Sequence, residues 1–172
     1  MIPGERICAL NALPVRSGGY VLYWMQSSPR TVGNLALEYA IRKANNLKIP
    51  VFACFCIDPF YPEANLRHYT FMAEGLVSAG RSLEKMHIPL AIFWGAPGES
   101  IPGAAEDASM IVTDRGYLGL HRAWRSNVAE VVDCSFVMVE DNAVVPVEVA
   151  SGKEEWSAGT IRKKIHRQLM RF

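Results

Sequence analysis

The sequence predicts an α/β fold: a doubly wound sheet of five parallel strands, in the order 3-2-1-4-5, with helices on both faces. Three observations predict it. Five short runs rich in Val, Ile, Phe, Tyr and Trp recur along the chain. Stripes of apolar residues at three- and four-residue spacing fill the gaps between them. The two kinds of segment alternate through the chain, as parallel strands do when helices join and cover them.

The elements follow in order. Residues 1–18 hold acid and base but no long apolar run, and read as an N-terminal extension rather than a leader peptide. The strands are Tyr20–Met25, Val51–Ile57, Leu90–Trp94, 110–113 and 136–140. Most are continuously apolar rather than alternating, as strands buried on both faces are. The second is the clearest, being bounded by Pro50 and Pro59.

The first helix carries Leu37, Ala40, Ile41, Ala44 and Leu47 and stops before Pro50. The second carries Tyr69, Met72, Leu76, Ala79, Leu83 and Met86 and stops before Pro89. A shorter helix falls within 97–108. Leu120, Trp124, Val128 and Val131 mark another. These stripes are read as core faces. Residues 141–152, with Pro146, read as an irregular crossing. Residues 157–169 read as a last helix, with Ser157 at its N-cap. With right-handed crossovers the arrangement is Rossmann-like, and 1–172 is read as a single domain.

Composition narrows the function classes. A formal net charge of +1 gives no overall basic field for nucleic acid. Cys54 and Cys56 stand two apart on a strand and point the same way, so they are poor disulfide partners. They and the other two cysteines, Cys8 and Cys134, are read as small apolar residues of a reduced, cytoplasmic protein rather than metal ligands. No stretch reaches the ~18 apolar residues that span a bilayer. The basic run Arg162, Lys163, Lys164, Arg167 and Arg171 reads as a solvated helix face or linker before it reads as a nucleic-acid contact.

Chemistry in such a sheet belongs beyond the carboxyl ends of the strands, at the point where the strand order reverses. The rim there is polar with aromatics among it, which suits a flat, hydrogen-bonding ligand. No GxGxxG follows the first strand, and no GxxxxGK[ST] occurs anywhere. Gly18-Gly19 precedes the strand, at the wrong end for phosphate. The histidines, His68, His87, His121 and His166, show no metal-binding or catalytic spacing, and there is no GxSxG elbow. His68 and His121 fall on helices and take structural or solvent roles. Asp58 and Asp114 each end a strand, where helix capping and ligand contact are both open. No catalytic residue is assigned.

Several segments, in order, resemble class II cyclobutane pyrimidine dimer photolyases. They are Tyr20-Val21-Leu22-Tyr23-Trp24-Met25-Gln26 with Arg30 and 34–40; Phe71-Met72-Ala73-Glu74-Gly75-Leu76; and Val112-Thr113-Asp114 with Trp124-Arg125. Residues 144–151 and Trp156-Ser157-Ala158-Gly159-Thr160-Ile161-Arg162 continue the match. Two departures stand out. Pro29 replaces a frequent Gln and stiffens the loop after the first strand. Arg162-Lys163-Lys164 replaces Arg-Pro-Lys, so a helix can continue through Lys163.

The resemblance implies the N-terminal, light-harvesting half of a two-part enzyme. In that family a larger helical domain holds FAD, extrudes the dimer from the duplex and splits it by light-driven electron transfer. Residues 141–172 would then be the crossing segment and linker helix toward that domain, which lies outside this chain and is met in cis or in trans. Damaged DNA would be reached only through it, and this chain alone would be inactive. The antenna chromophore would be an 8-hydroxy-deazaflavin or a folate. The wall residues would be Met25, Ile57, Phe60 and Tyr117, and the polar pins Gln26, Asp58, Arg67, Asp114 and Arg115. The other reading is a nucleotide-binding regulatory or docking module, similar in element order to electron-transfer flavoprotein subunits and universal stress proteins.

Overall fold

The computed structural model describes residues 2–172. Among them six strands and six α-helices follow in order, alternating from β2 to α5: β1 (Ile7–Ala9), β2 (Tyr20–Met25), α1 (Leu35–Leu47), β3 (Val51–Ile57), α2 (Leu66–Glu84), β4 (Leu90–Trp94), α3 (Pro97–Ala104), β5 (Ala108–Asp114), α4 (Gly119–Val131), β6 (Ser135–Val139), α5 (Val147–Ala150) and α6 (Ala158–Gln168). The sheet order is β1-β6-β5-β2-β3-β4. The five expected strands are β2 to β6, and their order is the expected 3-2-1-4-5. They are parallel throughout.

The strand count needs correction from five to six. β1 adds an antiparallel edge to β6, with Ile7 opposite Val139. Its three residues are half-exposed or exposed, so no apolar pattern announced it. Backbone pairing holds it instead, together with buried Arg6. That guanidinium donates to the carbonyls of Glu140, Ala143 and Val144. The crossing after β6 is also less irregular than expected, because α5 lies within it.

Strand alternation sends side chains to two cores. Val21, Tyr23 and Met25 of β2 face one side, where α1 and α2 bring Leu37, Ala40, Leu76 and Leu83. Leu22 and Trp24 face the other, where α3 and α4 bring Ile101, Trp124 and Val128. β5 is buried along its whole length, as befits a central strand covered on both sides. Cys54 and Cys56 share the second face, and burial pushes both thiols up, Cys56 to about 12.

Local chemistry fixes the strand-to-helix turns. Asn34 caps α1 by accepting from the Leu37 N–H at 2.8 Å, a contact of the kind that contributes about 1 kcal/mol. Its amide also donates to the Tyr23 hydroxyl and the Arg30 carbonyl, both at 2.8 Å, tying the helix start to β2 and the loop after it. Gly18 passes so close to β5 that a Cβ would sit 2.6 Å from the Asp107 carbonyl oxygen and the Ser109 nitrogen. Packing, not phosphate binding, requires that glycine. Ser157 caps α6, which runs through Lys163.

Candidate chromophore pocket at the carboxyl edge

The strand order reverses beside β2, since the chain proceeds outward through β3 and β4 on one side and through β5 and β6 on the other. Beyond the carboxyl ends of β2 and β3, between α2 and α4, lies a cavity of about 400 Å³. That volume falls within the range of small-molecule sites. The loop after β2 supplies Gln26, Ser27 and Pro29. Phe55 and Cys56 of β3 contribute, and the turn after it brings Asp58 and Tyr61. Helix α2 supplies His68, Tyr69, Phe71 and Met72, and α4 supplies His121 and Trp124.

Three rings make one wall. His121 stacks on Trp124 with centroids 5.5 Å apart and planes at 28°. Tyr61 meets Trp124 edge-on at 6.0 Å. The Tyr61 hydroxyl lies 3.3 Å from His121 Nε2. Burial, and secondly the Arg125 cation, lower the His121 pKa from 6.5, against an opposing pull from Asp114. Both causes favour the neutral imidazole. Its Nδ1 is buried without a hydrogen-bond partner, and a Cβ on Gly116 would lie 2.2 Å from it. The α4 ring can seat there only because residue 116 has no side chain.

The expected pins divide sharply. Gln26 and Asp58 line the cavity. The Gln26 side chain is held at both ends: its amide nitrogen donates to the His121 carbonyl at 3.2 Å and its oxygen accepts from Arg125 at 2.5 Å. Arg125 in turn donates to the Gly116 carbonyl at 2.8 Å. Asp58 caps its own turn, accepting from the Phe60 N–H at 2.8 Å, and its carbonyl accepts from the Tyr69 hydroxyl at 2.7 Å.

The other three pins and all four expected wall residues do not line this cavity. Asp114 is wholly buried and accepts from the Gln26 and Ser27 N–H groups, each at 2.7 Å, and from the Ser27 hydroxyl. It shapes the loop after β2 from beneath. Met25 lies in the first core and Ile57 packs against it. Phe60 points to solvent. Arg67 is exposed at the start of α2, in a neighbouring groove with Asn65, His68 and Phe71. Arg115 and Tyr117 turn the opposite way, toward Glu140. Arg115 bonds Glu140 at 2.9 Å and Glu148 at 2.5 Å, and the Tyr117 hydroxyl donates to Glu140 at 2.8 Å.

Sequence reasoning missed most of the wall. In the sequence Tyr69, Met72 and Trp124 read as parts of core stripes, and Tyr61 belongs to no pattern. The available signal was His121 and Trp124 at a three-residue spacing, which places two rings on one helix face.

The wall set fits a flat ring system: aromatic and thioether surfaces, few polar groups, and neither Lys nor Arg among the lining residues. Among the described residues, no group of three His, Cys, Asp or Glu side chains is placed to hold a metal. No described helix is long and apolar enough to cross a membrane.

Comparisons with known proteins agree on the family. The family model for DNA photolyase matches residues 21–172. The deoxyribodipyrimidine photo-lyase of Methanothermobacter thermautotrophicus is 45% identical over 173 residues, covering all of this chain and 39% of that protein. That of Potorous tridactylus is 37% identical over 155 residues, covering 88% of this chain and 29% of that protein. The chain thus spans two fifths or less of these relatives. Among solved structures, the photolyase of Sulfolobus tokodaii superposes with a TM-score of 0.72 at 17% identity, covering 86% of this chain and 34% of that one. The Sulfolobus protein was crystallised with two FAD molecules, implicating a novel light-harvesting cofactor in it. The chain belongs to the DNA photolyase family, of which it is an N-terminal α/β domain.

Proposed function

We propose that this chain is a light-harvesting domain, which holds an antenna chromophore in the pocket between α2 and α4 and passes excitation to FAD in a helical domain beyond this chain. The observation that carries the reading is the pocket itself: about 400 Å³, walled by Tyr61, His121, Trp124, Tyr69 and Met72, at the carboxyl edge beside β2, the strand from which the order runs both ways. An antenna forms no bond, so the protein's part is to orient a flat ring and exclude water. Stacking surfaces do both. Gln26, locked between His121 and Arg125, fixes α4 against the rim.

The remaining parts of the proposal are supported by membership of the family. Residues 1–172 form one antenna domain of a cytoplasmic DNA-repair protein, and 141–172 lead toward the FAD domain. Damaged DNA is engaged by that domain, in cis or in trans, and the present chain does not repair dimers alone. An 8-hydroxy-deazaflavin, a folate or a flavin has the ring system the pocket suits. The nucleotide-binding alternative is weaker, because the lining carries no cation or glycine-rich loop for a polyphosphate.

Titration of the purified chain with each chromophore, followed by ligand anisotropy, tests this. Saturable binding of at least one, weakened in Trp124→Ala, is expected. Binding of AMP or ATP with no binding of any chromophore would overturn the assignment in favour of a nucleotide module.

A further inference from the structure

The two edges of the sheet are guarded unequally. β1 forms one edge with three residues, and so short a strand offers little to pair with. β4 forms the other with Leu90-Ala91-Ile92-Phe93-Trp94, which holds no charge, no proline and no bulge. An apolar edge of that kind is a template for another strand.

Its hydrogen bonds fix which groups are free. The Pro89 carbonyl accepts from the Ala53 N–H, and the Gly95 N–H donates to the Ile57 carbonyl, each at 2.9 Å. Alternate residues of a parallel strand face its neighbour, so Ala91 and Phe93 also turn to β3. Leu90, Ile92 and Trp94 turn their N–H and C=O groups outward, where no further strand lies. Their side chains share the α2 face. Leu90 packs against the first core, whereas Ile92 is 45% and Trp94 73% exposed. Gly80 of α2 lies over Leu90, and Val77, three residues earlier and 54% exposed, continues that side of the helix along the edge.

We propose that β4 is a self-association edge, at which two copies of this chain pair β4 with β4, antiparallel about a two-fold axis at Ile92, and join their sheets into one. The register is self-complementary. Ile92 exchanges both backbone bonds with Ile92 of the second copy, and Leu90 does so with Trp94, so every outward group of the strand is used. The ends also match in charge. Arg81, Lys85 and His87 outnumber Glu84 where the chain enters β4, and the Glu99 carboxylate sits beside Gly95 where it leaves. Antiparallel pairing sets each basic end against the acidic end of the other copy. A lone extended peptide would satisfy the backbone but leave Val77 bare. Trp94, Ile92, Val77 and the edge backbone offer on the order of 500 Å² per copy, about half of the ~1,000 Å² that a specific interface buries in total. Binding at the weak end of that class is expected, with dissociation in the micromolar range.

Sedimentation and hydrogen exchange of the whole chain across micromolar concentrations test this, with a reductant present because Cys8 is exposed. The mass should climb toward that of two chains. The amides of Leu90, Ile92 and Trp94 should become protected as concentration rises, while those of Ala91 and Phe93 are protected throughout. Ile92→Lys sets like charges opposite each other at the axis and should weaken association roughly tenfold or more. Trp94→Ser, at a side chain mostly in solvent, should weaken it too and carries the test if Ile92→Lys fails to fold. A single-chain mass at every concentration would overturn the proposal. So would a dimer whose three outward amides still exchange freely, or one that folded Ile92→Lys or Trp94→Ser forms as well as the native sequence does.

Discussion

The two flanks of the carboxyl edge are built from similar residues and do opposite things. On the β3 side of β2, rings from α2 and α4 surround a cavity, and His121 keeps a buried nitrogen without a partner. On the β6 side of β5, Arg115 bridges Glu140 and Glu148, Tyr117 bonds Glu140, and together they clasp α5, with the Val147 N–H donating to Glu140 at 2.9 Å. Bonding to Glu148, with help from Glu140, holds the Arg115 pKa above its ordinary value, and Arg115 holds Glu148 below its own. Burial and the bond to Glu140 raise that of Tyr117. On the charged flank the Arg115 guanidinium and the Tyr117 hydroxyl are already committed to carboxylates, so neither is free to pin a ligand. The apolar flank keeps its contact capacity. A polar residue at a strand end is a ligand pin only if the fold has not already spent its hydrogen bonds.

Asp114 stands between the flanks, and its removal should have the largest effect. Asp114→Ala strips the acceptor from two backbone N–H groups and the Ser27 hydroxyl at a site closed to water. Leaving such donors unsatisfied costs about 3 kcal/mol. The urea midpoint should fall accordingly. Chromophore binding should also fall, because Gln26 and Ser27 line the pocket on the loop that Asp114 holds. A variant with full binding would show that the loop is positioned from above, by α4, rather than from beneath.

Glu140→Gln comes next and separates the flanks. It preserves the shape that accepts from Tyr117 and Val147 but removes the buried charge facing Arg115. Because Glu148 still pairs with Arg115, the expected loss is about 2 kcal/mol, below that of stranding a fully buried cation. Pocket binding should be unchanged. A parallel loss of binding would mean that the two flanks act as one unit through β5.

What the sequence revealed follows the same division. The parallel core was legible because burial on both faces demands continuous apolar runs, as in Val51–Ile57. The edge that carries the pocket was legible from topology alone. β1 was not, because three half-exposed residues held by backbone pairing leave no hydropathy signal. Tyr69, Met72 and Trp124 were invisible as wall residues for a different reason. A helix stripe looks the same whether it meets a sheet or overhangs its end, and only the lateral placement of α2 and α4 turns these side chains into a cavity lining. Arg115 and Tyr117 misled because their partners, Glu140 and Glu148, lie 23 to 33 residues away.

The smallest expected effect is a pH dependence confined to the apolar flank. The His121 pKa lies below 6.5 in the folded chain, mainly through burial and then through Arg125. As pH falls from neutral, the unfolded chain therefore takes up this proton before the folded one does. The stability tied to the neutral ring is complete above about pH 6.5 and is lost as pH falls through the folded value. Thermal unfolding across mildly acidic buffers should show a lowered midpoint in the native sequence. The slope in that window should shrink in His121→Phe and persist in Glu140→Gln. Glu148 is held below 4.5 by Arg115, so its contribution is lost only at more acidic pH. A slope that survives in His121→Phe would move the titrating group elsewhere and remove the pH contrast between the flanks.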